Sequence, residues 1–211
     1  MPHVVLLGDS IFDNGAYTQG GPDVITQLRG VLPEGWRSTL GAIDGATTED
    51  FGPQISALPP DATHIVVSIG GNDALGHIDL LGRPARSSAE VLAAFAAAAE
   101  SFERRYRRAV ASVLARGVPV TLCTIYNGNF PEVGFQRLAS TALTVFNDAI
   151  LRIAFEHALT VIDLRLVFDE PDDYANPIEP SSHGGAKIAK SIVRALQLDP
   201  LAARVARVVA A

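Results

Sequence analysis

Apolar and polar positions fall in blocks along this chain that predict strands and helices in turn. Residues 3–8 hold the run Val4-Val5-Leu6-Leu7, the composition of a strand buried on both faces. Residues 22–32 switch to helical spacing, with Val24, Ile25, Leu28, Val31 and Leu32 on one stripe that Pro33 ends. A short strand at 36–43 leads to the loop Asp44-Gly45-Ala46. A helix to about Leu58 follows, capped by Thr47 or Thr48, with Glu49 and Asp50 favourable in its first turn. The third strand covers 63–69, and residues from Asp73 to about Arg86 read as a loop. The longest helix starts at Ser87 or Ser88, with Glu90 in its first turn, and Gly117 terminates it. Then come a strand at 118–125, a loop rich in Gly, Asn and Pro, a helix at 134–158 and a strand at 159–164. A last helix begins near 182 and ends before Pro200, and residues 201–211 suit a helical tail.

Five strands alternating with helices imply an α/β fold with a parallel sheet and right-handed crossovers. By fold analogy the expected strand order is 2-1-3-4-5, which makes the first and third strands neighbours. No repeat or low-complexity linker interrupts the chain. Its 211 residues, 48% of them hydrophobic, suit one domain with a real core.

Chemistry concentrates where two of these strands end. The first runs into Gly8-Asp9-Ser10, and the third into Gly70-Gly71-Asn72-Asp73. Ligand crevices in open α/β sheets lie at the carboxyl ends of strands. Glycines there let the backbone turn sharply and approach a ligand. A hydroxyl at one strand end and an amide donor at its neighbour suit acyl transfer: Ser10 as nucleophile, Asn72 as oxyanion donor. The plainer alternatives are a loop or cap hydroxyl for Ser10 and a turn residue for Asn72. Asp13 is expected to order the loop by accepting backbone N–H bonds. The scattered carboxylates carry no His-rich spacing, so no metal is expected.

These two blocks, with Asp13, resemble those of the SGNH (GDSL-type) hydrolases, serine esterases and acyl hydrolases. The resemblance spans nearly the whole chain and implies a single domain over residues 1–211. It implies a three-layer α/β/α sandwich with a flavodoxin-like, five-stranded parallel sheet. It also implies that Gly45 of Asp44-Gly45-Ala46-Thr47-Thr48 supplies a second oxyanion N–H, and that no organic cofactor is needed.

The C-terminal block departs from the family pattern, roughly Asp-x-x-His-Pro-Ser followed by a glycine and an apolar helix. Aligning Pro180-Ser181 and Gly184 places Glu179 at the histidine position and Asn176 at the aspartate position, with His183 four residues beyond Glu179. Three readings stay open. His183 is the base, if its loop bends towards Ser10. Glu179 is the base, if burial raises a carboxyl whose ordinary pKa of about 4.3 is too low for the task. Or the base is lost and the domain only binds. Of the other histidines, only His77 follows Asn72 in a loop; His3, His64 and His157 fall at the wrong ends of their elements. Tyr126 and Phe130, after the fourth strand, are candidate pocket walls.

Composition narrows the partners. A net charge of −6, with basic clustering confined to Arg104-Arg105 and Arg107-Arg108 in a helical pattern, gives no footprint for nucleic acid. The single cysteine, Cys123, lies inside an apolar strand, which excludes an intramolecular disulfide. The start Met-Pro-His enters a strand at once, without a signal peptide's basic region or cleavage site. No uninterrupted apolar stretch has the length of a membrane span. The expectation is a cytoplasmic hydrolase acting on a small carboxylic ester, thioester or acetyl group. The rival is an SGNH-like binding module whose strand-edge pocket holds a small ligand or partner; oligomeric state stays open.

Overall fold

A computed structural model describes residues 1–196. Its sheet contains β1 (His3–Gly8), β2 (Arg37–Leu40), β3 (His64–Ser68), β4 (Val120–Cys123) and β5 (Thr160–Ile162). All neighbours pair in parallel, in the order β2-β1-β3-β4-β5. The helices are α1 (Val24–Val31), α2 (Phe51–Ser56), α3 (Gly71–Leu75), α4 (Ser88–Leu114), α5 (Val133–Glu156) and α6 (Ser182–Ala195).

Each strand feeds two cores because its side chains alternate between faces. Val4, Leu6 and Val66 pack with α1 and α6. Val5, Leu7, Ile65 and Val67 pack on the opposite face with Phe51 of α2, Phe102 and Tyr106 of α4, and Ile150 of α5. The result is the three-layer α/β/α sandwich, and the double burial explains why β1 reads as an unbroken apolar run.

Two local expectations differ from the structure. The stretch after Asn72 is not a plain loop: α3 and a 3-10 turn at Ile78–Leu81 occupy it, both too short to show periodicity. Neither Thr47 nor Thr48 caps α2, which starts only at Phe51. The proposed tail at 201–211 lies outside the described residues. Among the described residues one helix, α5, is long and apolar enough to cross a membrane. Its Phe146, Ala149, Ile150, Ile153 and Ala154 are buried in the core.

The site is positioned by the junction of β1 with β3. Gly8 has φ +137°, and a Cβ there would lie 1.7 Å from the Ser68 carbonyl oxygen. Past the end of β2, the Gln54 side chain completes the edge of β1. Its Oε1 accepts from the Gly8 N–H at 2.8 Å, and its Nε2 donates to the Gly8 carbonyl at 2.7 Å. Gly8→Ala is therefore expected to lower stability by roughly 3 kcal/mol or more, through steric overlap and backbone strain together. Urea unfolding checks this; an unchanged midpoint would mean that the two backbones do not close here.

Candidate active site

Ser10 sits in the first turn beyond β1. The Phe12 and Asp13 N–H groups both donate to the Asp9 carbonyl at 3.1 Å, and the Asp9 N–H donates to the Ser68 carbonyl at 3.1 Å. This tight turn lifts Ser10 off the sheet edge. Ser10 is only 6% exposed, yet it lines the cavity at that edge. Its backbone N–H has no hydrogen-bond partner among the described residues.

Asn72 comes to the same cavity from the first turn of α3. Its Nδ2 donates to the Ala46 carbonyl at 3.0 Å. An amide nitrogen carries two hydrogens, so one is left for a ligand. That bond also ties Asn72 to the turn holding Gly45. Gly45 has φ +78° and an N–H without a partner among the described residues, but it is exposed and does not itself line the cavity.

The Gly45 turn is held from two sides. Asp13 Oδ2 accepts from the Asp44 N–H at 2.9 Å, so Asp13 orders a neighbouring loop rather than its own. Asp73, buried, accepts from the Thr48 N–H at 2.9 Å and the Thr48 hydroxyl at 2.6 Å. Arg105 Nη2 completes the group at 3.3 Å from Asp73 Oδ1. Arg105 thus turns inward, unlike the solvent-facing residue its basic cluster suggests. Thr48 and Arg105 are site-supporting residues that sequence reasoning missed. A threonine beside a helix start reads as a cap, and no local pattern reveals a partner on α3.

The C-terminal loop delivers Glu179. Asn176 Oδ1 accepts from the Ile178 and Glu179 N–H groups, both at 3.0 Å, an Asx turn that sets the direction of the Glu179 backbone. The Tyr126 hydroxyl donates to the Ile178 carbonyl at 2.5 Å, and Asn14 Nδ2 donates to the Pro180 carbonyl at 3.3 Å. Tyr126 stacks on Phe168, with ring centroids 4.2 Å apart, and meets Tyr174 edge-on. Glu179 is 8% exposed and lines the cavity with Ser10 and Asn72. Burial raises its pKa; hydrogen bonding from the Ser10 hydroxyl pulls it down, and the Asp44 charge raises it further. Its Oε2 is buried without a hydrogen-bond partner.

His183 is not delivered to Ser10. Ser181 caps α6 by accepting from the Gly184 N–H, so His183 falls in the helix's first turn. There its side chain is 54% exposed, with Nε2 3.7 Å from both Glu170 and Asp173. The loop would have to unwind that turn to bring it over. Of the five histidines only His77 lines the cavity, stacked on Phe146 with centroids 6.1 Å apart. Tyr126 and Phe130 are both in the lining, as expected of pocket walls.

The cavity is open to solvent, and together with that open space it holds about 830 Å³ free of atoms. A family model described as GDSL-like lipase/acylhydrolase matches residues 6–186. The chain belongs to this family. It is therefore grouped with hydrolases, and its Glu179 stands out as a departure within that group. An extracellular lipase from Streptomyces rimosus is similar in structure, with a TM-score of 0.68 at 19% identity over 94% of this chain and 99% of that one. The lipase Lip_vut3 from a goat rumen metagenome gives 0.71 at 19% identity, over 92% and 97%. A catalytic mutant of the acetylxylan esterase from Geobacillus stearothermophilus gives 0.66 at 20% identity, over 96% and 97%. At such identities these likenesses concern the fold. No curated protein matches the sequence.

Asp9 adds a second carboxyl to the cavity. It accepts from the Ile11 N–H at 3.1 Å. Its pKa is pushed up to about 7, first by burial and then by the nearby charges of Glu179 and Asp73, against the lowering effect of backbone hydrogen bonds. The folded protein thus holds a proton that the unfolded chain, with an ordinary aspartate value of 3.8, releases. Between those values the unfolded state binds fewer protons, so this group makes stability fall as pH rises. The slope of the unfolding midpoint against pH across that window should be more negative in the wild type than in Asp9→Asn. Parallel curves would remove Asp9 as the source.

Proposed function

We propose that the chain is a serine hydrolase that cleaves a carboxylic ester, thioester or acetyl group through an acyl-enzyme on Ser10, with Glu179 as the general base. The observation that carries this reading is the side-chain contact of Ser10 with a buried Glu179, in a cavity that Asn72 also lines. Glu179 takes the hydroxyl proton as Ser10 Oγ attacks the acyl carbon. The Ser10 N–H and the free Asn72 amide hydrogen receive the oxyanion that forms, while the Gly45 turn holds Asn72 in place through the Ala46 carbonyl. The protonated Glu179 returns its proton to the leaving group, then draws one from the water that clears the acyl-enzyme. Burial makes this role feasible, because a carboxylate at its ordinary pKa is a weak base towards a serine hydroxyl.

The alternative is the binding module, favoured by the distance of His183 from the cavity. Within the enzyme reading, His77 is the competitor for proton transfer, since it shares the cavity with Ser10.

A fluorophosphonate probe separates the classes. Labelling that disappears in Ser10→Ala supports the hydrolase; a wild type that stays unlabelled under every condition favours the binder. For p-nitrophenyl acetate, Glu179→Gln should lose about 10²–10⁴-fold in kcat/KM. Asn72→Ala should lose about 10²–10³-fold. Wild-type kcat/KM should rise with pH through a value above the ordinary glutamate 4.5, because the base works only when ionised and its pKa is raised. If Glu179→Gln keeps that profile and His77→Ala abolishes it, the base is His77.

A further inference from the structure

Beyond its catalytic end, the cavity is a chamber walled by four helical segments. From α5, Ala139, Ala142, Leu143 and Phe146 line it at helical spacing, one continuous face of that helix. Leu75, Ile78 and Leu81 line it from α3 and the 3-10 turn, and Phe95 from α4. Asp9, Ser10, Asn72 and Glu179 supply the polar groups of the catalytic end. In the rest of the lining the Tyr126 hydroxyl is taken by the Ile178 carbonyl, which leaves His77, itself stacked on Phe146, as the other polar side chain. Among the described residues, no lysine or arginine lines the cavity.

Such walls offer water, a sugar or a charged headgroup almost no hydrogen-bond partners. An acetyl group on Ser10 would leave most of the chamber unfilled. We infer that this chamber is an acyl site for an unbranched aliphatic chain well beyond acetyl, with alanines 139 and 142 providing the room that larger residues would close. This deepens, and rests on, the proposed acyl-enzyme at Ser10. The chain fits as a neutral hydrocarbon tail. With carboxyls at the catalytic end and no cation among the described lining residues, a substrate bearing a negative charge close to the ester is disfavoured.

The test is a chain-length series of p-nitrophenyl esters, from acetate through butyrate and hexanoate to octanoate, below their aggregation limits. Each methylene buried in the chamber should raise kcat/KM by about fourfold. Ala142→Phe and, separately, Ala139→Phe should lower the octanoate-to-acetate ratio by about tenfold or more, by filling the space the chain needs. A profile that is flat or favours acetate overturns the inference, and the wild-type series decides this even if a variant folds poorly. Unchanged ratios in both folded variants overturn it as well. If acetate turnover depends on Ser10 while the profile is flat, the acyl chamber fails and the hydrolase reading survives. If no ester is turned over, the hydrolase reading itself falls.

Discussion

The close approach of β1 to β3 at Gly8 is the constraint on which the site depends. With a Cβ only 1.7 Å from the Ser68 oxygen, no other residue can occupy that position without moving a strand. The tight junction puts the turn bearing Ser10 directly beside the strand end that leads into Gly70 and Gly71. Gly70 repeats the device: at φ +123° a Cβ would meet the Phe102 ring at 2.9 Å. Two glycines therefore let two polar strand ends share one crevice, at the point where the chain leaves β1 and β3 for opposite layers of the sandwich.

The surrounding loops are irregular, and side chains hold them by bonding to backbone. Asn14 reaches the Pro180 carbonyl, Asn176 the N–H groups of residues 178 and 179, Asp13 the N–H of residue 44, and Asp73 the Thr48 N–H. A single bond of this kind contributes only about 1 kcal/mol net. Their value is positional, since each fixes one loop against another and together they pre-organise the groups around Ser10. The Asp73 carboxylate is the exception in energy. It is buried, and its Arg105 and Thr48 partners compensate a charge that would be costly alone.

Electrostatically the crevice holds two carboxyls, Asp9 and Glu179, with no cation in its lining among the described residues. Burial disfavours ionisation of both, and a neighbouring carboxylate adds to it in each: Glu179 for Asp9, and Asp44 for Glu179. The family pattern places an imidazole where Glu179 stands. A carboxyl can take over proton transfer from an imidazole only if its environment raises its basicity, and burial in a largely apolar pocket does so. Glu179 Oε2 is buried and has no hydrogen-bond partner among the described residues.

Much of this was legible in the residues. Unbroken apolar runs identified β1 and β3, helical spacing identified α1, a serine cap and a glycine stop identified α4, and alternation of strands with helices predicted a parallel sheet, whose observed order matches the one expected by fold analogy. Local sequence reports periodicity and turn chemistry, and these follow from backbone geometry alone. It also marked Ser10 and Asn72, because strand ends are chemically punctuated. It left His183 and Glu179 as rivals, because four residues across a helix start can point a side chain either way. Only the folded chain separated them: the Ser181 cap starts α6 and carries His183 outward, while the Asn176 turn and the Tyr126 hydroxyl hold Glu179 inward. The roles of Thr48, Asp73 and Arg105, and the α5 face that walls the chamber, were likewise decided in three dimensions. Their partners are distant in sequence, and no local rule encodes a contact between separate elements.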